Sequence, residues 1–255
     1  MRRDGNMSQL EKSALLLDSF PGGTALSLAD VCTRTGIPRS TAHRLLVELS
    51  ELGWIQRTGA KFELGMTLFE LGERVSVKRR LRVAAMPFMQ DLYAVTEQTV
   101  HLAVRDQYDV VYIEKIHGHT AQHLPSQVGG RLPLTCTAVG KALLAFESPD
   151  FQTDVLTRPL RRYTENSITD PKILERELAQ IRVRGVAIER EESSKGTCCL
   201  AATVLMRDEP VASLSVSVPK ERFKPELLGP AVRTASLALG RTLSRDGSDR
   251  SVSSS

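Results

Sequence analysis

Nowhere does the sequence approach the roughly 18 consecutive apolar residues of a membrane-spanning helix. The opening stretch MRRDGNMSQLEKSALLLDSF starts basic, but its apolar run extends only from Ala14 to Leu17, short of a signal-peptide core. Cysteine is sparse: Cys32, Cys136, Cys198 and Cys199 include no C-x-x-C pair for zinc or redox work, and adjacent cysteines rarely bridge each other. These absences lead us to expect a reduced, cytoplasmic protein with no membrane contact.

Hydrophobic residues make up 41% and charged residues 25% of the 255 positions, the balance of a soluble globular chain long enough for two ordinary domains. The net charge of +4 permits an anionic partner without requiring one.

The spacing predicts a first helix over Ser8 to Ser19, with Leu10, Ala14 and Leu17 on one face and Pro-Gly-Gly at 21–23 ending it. Ser27 followed three residues later by Asp30 forms a capping box with aspartate in the glutamate role. Leu28, Val31 and Cys32 then face inward, and Gly36 supplies the turn. IPRSTAHRLLVELSELGWIQR follows, with Ala42, Leu45, Leu46, Leu49 and Leu52 as a helical stripe that must be buried. WIQR and KFEL around Thr58-Gly59-Ala60 predict a hairpin, and Leu68, Phe69, Leu71 and Val75 another helix, followed by the basic run VKRRLR at 77–82.

The second half changes rhythm. TVHLAVR (99–105) and DVVYIEKI (109–116) are strand-like, TAVGKALLAF (137–146) is helical, and DPKILERELAQIRVRG (170–185) is a helix capped by Asp170 and stopped at Gly185. VAIERE is a strand, and CLAATVLMRDEPVASLSVSVP reads as two strands around Arg207-Asp208-Glu209-Pro210. A last helix is expected from about Pro225 to Leu243, and the polar end SRDGSDRSVSSS is expected to be disordered. The whole is an α+β chain: a small helical domain with a wing, a linker helix, and a domain of antiparallel strands.

The helix after Pro38 divides its residues. Its apolar stripe packs inward, while Arg39, Ser40, Thr41, His43 and Arg44 cluster about its start, mostly away from that stripe. Two helices joined by a tight glycine turn, the second with donors at its N-terminus, form a helix-turn-helix whose second helix fits the major groove. Arginine can grip a guanine edge or a phosphate, and serine, threonine and histidine can do either more weakly. Arg57 and Lys61 flank the hairpin tip, where a wing could reach phosphates or the minor groove. Ser27, opening the first of the two helices, completes the expected DNA contacts. Scattered charges usually belong to a solvated face, but the order of capped helix, turn, polar helix start and basic hairpin favours a nucleic-acid reader.

The run SLADVCTRTGIPRSTAHRLLVELSELGWIQR carries a family resemblance. With it go TVHLAV, VVYIEKI, LPLTCTAVGKALLA, the span from ITDPKILERELAQIRVRGVAIEREE to KGTCCLAATV, and LSVSVP. In that order, from about Ser8 to Leu243, the chain resembles the IclR family of bacterial transcriptional regulators. The resemblance implies a winged helix-turn-helix over 8–64, a linker helix used in dimerisation over 65–82, and a GAF-like effector-binding domain over 83–244. The tails at 1–7 and 245–255 are expected to be disordered. It further implies a sequence-specific regulator, expected to be a repressor, acting as a homodimer or dimer of dimers on a double-stranded operator.

Carried over by motif, the effector-binding positions are Leu132, Ala138 and Val139 around the GKALLA helix, then Glu189, Thr197 and Cys199, then Ser215 and Ser217, with Leu124 added. Ser215 and Ser217 alternate along LSVSV and so can share one strand face. Hydroxyls, helix N-terminal amides and an apolar wall suit a small polar or anionic metabolite, an organic acid or a related compound. Glu189 stands where aspartate is common in the family, and Thr197-Cys198-Cys199 is unusually small and sulfur-rich there.

Other constellations point to no catalysis. Val139-Gly140-Lys141 ends like a P-loop, but the required earlier glycine is Thr135. There is no G-x-S-x-G and no identifiable base–nucleophile pair. Glu191 and Glu192, beside Cys198 and Cys199, are expected at a pocket rim and in surface ion pairs. His117, His119 and His123, near Glu114, could ligate a divalent metal, though loops of this composition more often hold solvated histidines. No enzyme activity, cofactor or metal is expected.

Overall fold

The structure is a computed structural model describing residues 7–22, 24–119, 124 and 126–248, apart from the side chains of 76–78 and 246–248. The chain divides after Arg79 into two compact units.

In the first unit, α1 (Gln9–Asp18) is opened by a capping box: Ser8 Oγ accepts the Glu11 N–H at 3.2 Å, and the Glu11 carboxylate accepts the Ser8 N–H at 2.8 Å. The buried residue of this helix is Leu16, whereas Leu10 is exposed. The expected face of Leu10, Ala14 and Leu17 is therefore rotated. Within the run Leu15-Leu16-Leu17, spacing cannot set the phase, and Leu16 packs in the same core as the buried Phe20.

A two-residue strand β1 (Leu26–Ser27) precedes α2 (Leu28–Thr35). Ser27 and Asp30 make the expected reciprocal cap, and Gly36 ends the helix in the left-handed region at φ +70°. Then comes α3 (Arg39–Glu51), which buries Ala42, Leu45, Leu46 and Leu49 against α1 and α2. Leu52 is 60% exposed, contrary to its place in the stripe. The helix has already ended there: Gly53 turns left-handed at φ +71°, and the Trp54 N–H returns to Leu49 O at 2.9 Å.

The hairpin is β2 (Ile55–Thr58) and β3 (Lys61–Leu64), with Thr58 paired to Lys61 across Gly59-Ala60. Positive φ at Gly59 alone fits a type II′ turn. β1 adds a third strand on the β3 side, Leu26 opposite Phe62.

The single linker helix expected over 65–82 is two helices, α4 (Met66–Glu73) and α5 (Ser76–Thr96). The first closes with tight bonds from the Arg74 N–H to Leu71 O and the Val75 N–H to Gly72 O. VKRRLR therefore lies inside the second helix. Pro87, which reads as a helix breaker in sequence, is accommodated on an exposed turn of it.

The second unit is built on a six-stranded antiparallel sheet. Its elements are β4 (Thr99–Asp106), β5 (Asp109–Ile116), β6 (Arg131–Pro133), α6 (Ala138–Phe146), α7 (Pro149–Thr157), α8 (Pro171–Arg184), β7 (Ala187–Arg190), β8 (Thr197–Met206), β9 (Glu209–Pro219) and α9 (Pro225–Ser248). Strand order is β6-β5-β4-β9-β8-β7. Asp170 and Gly185 bracket α8 as expected. The turn between β8 and β9 is only Arg207-Asp208, both at positive φ as a type I′ turn requires. Pro210, expected in that turn, sits in β9 beside a register shift at Val204/Leu205, where a missing N–H is tolerated. α9 continues to Ser248, so 245–248 are helical rather than a disordered tail. Once α9 is anchored by buried residues up to Gly240, each added residue gains a backbone bond without a new nucleation cost. Residues 1–6 and 249–255 of the expected tails lie outside the described residues.

Alternation along the strands splits the sheet into two faces. Val100, Leu102 and Val104 join Leu214, Val216 and Val218 beneath Met89 of α5 and Leu239 of α9. The other face carries Ala103 and Ala201 beneath α6 and α8. There β9 presents Ser213, Ser215 and Ser217, and β8 presents Thr197, Cys199 and Thr203, all small. Helix α6 comes close: a Cβ on Gly140 would lie 2.3 Å from Leu134 O, and Thr203 Oγ donates to Ala142 O at 2.7 Å. Among the described residues no helix is long and apolar enough to cross a membrane.

Candidate nucleic-acid interface and buried cavity

The start of α3 is arranged against its own stability. Its N-cap is Pro38, no side chain caps it, and its first turn holds no acid. Unbonded amides and the positive end of the helix dipole face outward, where Arg39 adds positive charge instead of the carboxylate that would stabilise it. Arg39, Ser40, His43 and Arg44 are exposed and Thr41 is half-buried. Arg44 has an exposed, loose i,i+4 partner in Glu48 at 3.7 Å. An anion supplied from outside would satisfy all of these groups at once.

Arg57 and Lys61 are exposed on the wing, Arg57 donating to Gly59 O at 2.9 Å with its guanidinium 6.0 Å from the Phe62 ring. Ser27 differs from the others: its hydroxyl is spent on Asp30, so its part is to fix the first helix of the pair.

In the second unit, one small cavity gathers all nine sequence-derived effector positions. The start of α6 contributes Ala138 and Val139, β6 contributes Leu132, and Leu124 adds to the lining. β7 contributes Glu189, β8 Thr197 and Cys199, and β9 Ser215 and Ser217. Register explains the convergence: Glu189 pairs with Cys199 and Cys199 with Ser217, so three neighbouring strands set them in one row. His101 lies opposite Ser215 in the next row. The cavity also takes in His101, Tyr112, Ser126 and Thr137, and the Ser193-Ser194 turn, none of which motif matching found. His101 and Tyr112 carried a signal, each being a polar ring at alternate spacing within an apolar strand.

Its polar groups are joined by hydrogen bonds. Cys199 Sγ lies 3.0 Å from Ser217 Oγ, His101 Nε2 lies 2.8 Å from Ser126 Oγ, and His101 Nδ1 lies 3.5 Å from Ser217 Oγ. Burial, then the charges of Lys115 and His117, lower the His101 pKa to about 3, so its ring is neutral at physiological pH. Thr137 caps α6 by accepting the Gly140 N–H, and its carbonyl accepts the Lys141 N–H at 2.9 Å. The Ala138 and Val139 amides at the rim are thus the helix's unclaimed donors.

Glu189 is wholly buried. Its Oε1 accepts the N–H groups of Glu192 and Ser193, while Oε2 has no partner. Burial pushes its pKa up to about 7, with the Glu192 charge adding to the rise and the Ser193 amide opposing it. Glu192 is no surface residue as expected: it is buried against Lys141, whose Nζ donates to Glu192 Oε1 at 2.5 Å and to Ile188 O at 2.8 Å. Glu191, by contrast, does pair at the surface, with Lys220 at 3.3 Å.

The cavity volume is ≈ 20 Å³, room for about one water, so a metabolite enters only as the rim parts. Of the three clustered histidines, His123 lies outside the described residues, and His119 shares a 3.0 Å hydrogen bond with Tyr93. Among the described residues no group of three or more His, Cys, Asp or Glu side chains is placed to hold a metal.

Residues 9–59 match the family model described as the IclR helix-turn-helix domain, and residues 74–245 match that of the bacterial transcriptional regulator IclR C-terminal domain. The HTH-type transcriptional regulator KdgR of Escherichia coli is 32% identical over 231 residues, 89% of this chain and 88% of that one. XynR of the same species is 33% identical over 249 residues, 93% and 97% of the two chains. The structure of an IclR homolog from Microbacterium hydrocarbonoxydans complexed with 4-hydroxybenzoate superposes with a TM-score of 0.82, at 29% identity, over 94% of this chain and all of that one. The relatives are regulators and not enzymes. The chain belongs to the IclR family of bacterial transcriptional regulators.

Proposed function

We propose that this regulator is a cytoplasmic repressor that reads its operator with α3 and the wing, and that an organic acid bound in the second unit's cavity lowers its operator affinity. The observation that carries the DNA half is the uncapped, acid-free start of α3 under Arg39 and Arg44, a loss of helix stability that a bound phosphate would offset. Repression is supported by relatives such as the acetate operon repressor of Salmonella typhimurium, 30% identical over 226 residues. An acid as effector is supported by the aromatic acid held by the Microbacterium homolog and by the amides at the α6 N-terminus. Met66, Phe69, Leu71 and Val75 are exposed on and just after α4, apolar surface suited to self-association as a homodimer or dimer of dimers. A dimer would set two copies of α3 about 34 Å apart, or a multiple of that, over two half-sites. The acid regulates only if it binds the operator-competent and operator-incompetent states with different free energies.

Titration of DNA fragments flanking the gene tests the reading. Arg44→Ala will weaken operator binding by about 1–3 kcal/mol if the guanidinium pairs with a base. A loss confined to the cognate sequence indicates base reading, a uniform loss with a shallower salt dependence indicates phosphate, and unchanged binding eliminates Arg44 as a contact. Ser217→Ala removes a hydroxyl shared by Cys199 and His101 and is expected to weaken effector-driven release while leaving effector-free operator affinity unchanged. Normal release by the variant would remove Ser217 from the site.

A further inference from the structure

Two features of the cavity conflict if the effector is a carboxylate. The α6 amides invite an anion, yet Glu189 sits on the same cavity with an unpartnered oxygen. Two ionised carboxylates cannot share a dry cavity without a cation between them. The obvious cation, Lys141, already donates to Glu192 Oε1 and Ile188 O.

The remaining titratable neighbours offer no counter-charge. From β8, the Cys199 and Cys198 thiols are both pushed up by burial and then by Glu189 itself. From the 3-10 turn before α6, burial pushes the Cys136 thiol up to about 12. Tyr112 of β5 is held protonated by burial, and His101 of β4 is neutral. On the Glu189 turn itself stands Glu192, a second acid. Lys115 of β5, whose charge reaches His101, is engaged by Ser126 O at 2.7 Å, so a proton is the positive charge left to place between the two carboxyl groups.

We propose that Glu189 holds a proton in the effector-bound state and donates it from Oε2 to the effector carboxylate, so that acid and proton enter the cavity together. This rests on reading the cavity as the effector site. Only bonds to hydrogen change: hydronium or a buffer acid loses one proton, an O–H bond forms at Glu189 Oε2, and the four oxygens of the carboxyl pair are then served by that proton, the Glu192 and Ser193 amides, and the α6 amides. Tying Oε1 to the turn leaves Oε2 as the oxygen able to donate. Glu189 thereby becomes a specificity residue, favouring acids over amines and making derepression stronger at low pH.

The test is calorimetric titration of the full-length protein with lactate, benzoate and 4-hydroxybenzoate, and with 4-hydroxybenzamide, from about pH 6 to pH 8.5, in buffers of differing ionisation enthalpy. The expected result is acid binding that is level below about pH 7 and weakens about tenfold per pH unit above it, with almost no proton taken up at about pH 6 and about one at about pH 8. In Glu189→Gln, whose amide donates without titrating, affinity will be independent of pH, and at about pH 8 it will exceed wild type by about tenfold. Acid binding without proton uptake at about pH 8, affinity rising with pH, an unchanged pH slope in Glu189→Gln, or binding of none of the three acids each overturns the proposal. If the amide binds while the acids do not, proton sharing falls and the cavity stands as the effector site. If Ser217→Ala and Glu189→Gln both leave every ligand's affinity unchanged, the reading of the cavity falls as well.

Discussion

Lys141→Met will destabilise the second unit by about 3–5 kcal/mol near neutral pH, the cost of leaving a buried charge without its partner. Lys141 is 1% exposed, the largest fully buried side chain in the molecule's described part, and its ammonium serves only Glu192 and the Ile188 carbonyl. Methionine keeps most of the volume, so the loss reports charge rather than a cavity. Glu192 is already pushed up by burial, with Lys141 as the main opposing influence, and without the lysine it must take a proton. The deficit will therefore shrink as pH falls toward 5, and Lys141→Met combined with Glu192→Gln will regain much of it. Urea unfolding at two pH values checks both points, and a single variant as stable as wild type would refute the account. The pair also matters for the cavity. Glu192 gives its amide to Glu189, and its carbonyl accepts Ser167 Oγ at 2.6 Å. Lys141 thus fastens α6 to the turn that orients the cavity's acid, and effector response will suffer even where the variant folds.

How far the sequence revealed this protein depended on the range of each interaction. Capping is decided within four residues, so Ser27 with Asp30, Gly36, Asp170 and Gly185 could be placed from sequence and stand where expected. Strand alternation is equally local, and LSVSV did set Ser215 and Ser217 on one face. What failed was phase or distance. The leucine run of α1 has no unique face, and Leu52 continues a periodic pattern past the point where the helix stops. β1 exists only because Leu26 finds Phe62, and α5 continues past Pro87 to Thr96, where no helix was expected. The helix α7 was signalled by Ser148-Pro149 but carries too short an apolar pattern to stand out.

The candidate site was legible where family blocks supplied positions, and blank where a contact joins segments far apart in the chain. Lys141 and Glu192 are 51 residues apart, and nothing local marks either as buried. His101 reaches Ser126 and Ser217 through folds that a single strand cannot announce. Charge was the least readable quantity of all. Glu191 and Glu192 are adjacent, yet one pairs at the surface and the other is sealed inside, because successive side chains leave the turn in opposite directions.

Glu189→Gln will stabilise the protein at neutral and alkaline pH and change it little below about pH 4.5. The folded pKa of about 7 lies above the ordinary 4.5, so the fold favours the protonated acid. Stability from this residue is complete below about pH 4.5 and is lost as pH rises through about 7. The difference, 7 − 4.5, is about 2.5 pH units, and at about 1.36 kcal/mol each the full loss is about 3 kcal/mol. His101 works the other way. Its pKa is depressed from 6.5 to about 3, so stability rises with pH below about 6.5 and is level above it. The two slopes oppose each other from about pH 4.5 to 6.5, and both are nearly level above about pH 7, where folded and unfolded states bind the same protons. Between about pH 4.5 and 7 wild type should stay nearly level while Glu189→Gln gains stability, the gap growing to about 3 kcal/mol by about pH 7.5 and holding above it. Glutamine retains an oxygen for the Glu192 and Ser193 amides, so the change removes the charge and spares the turn. Parallel stability profiles for the two proteins would mean that Glu189 is ionised without cost, and the proton would then have no reason to accompany the effector.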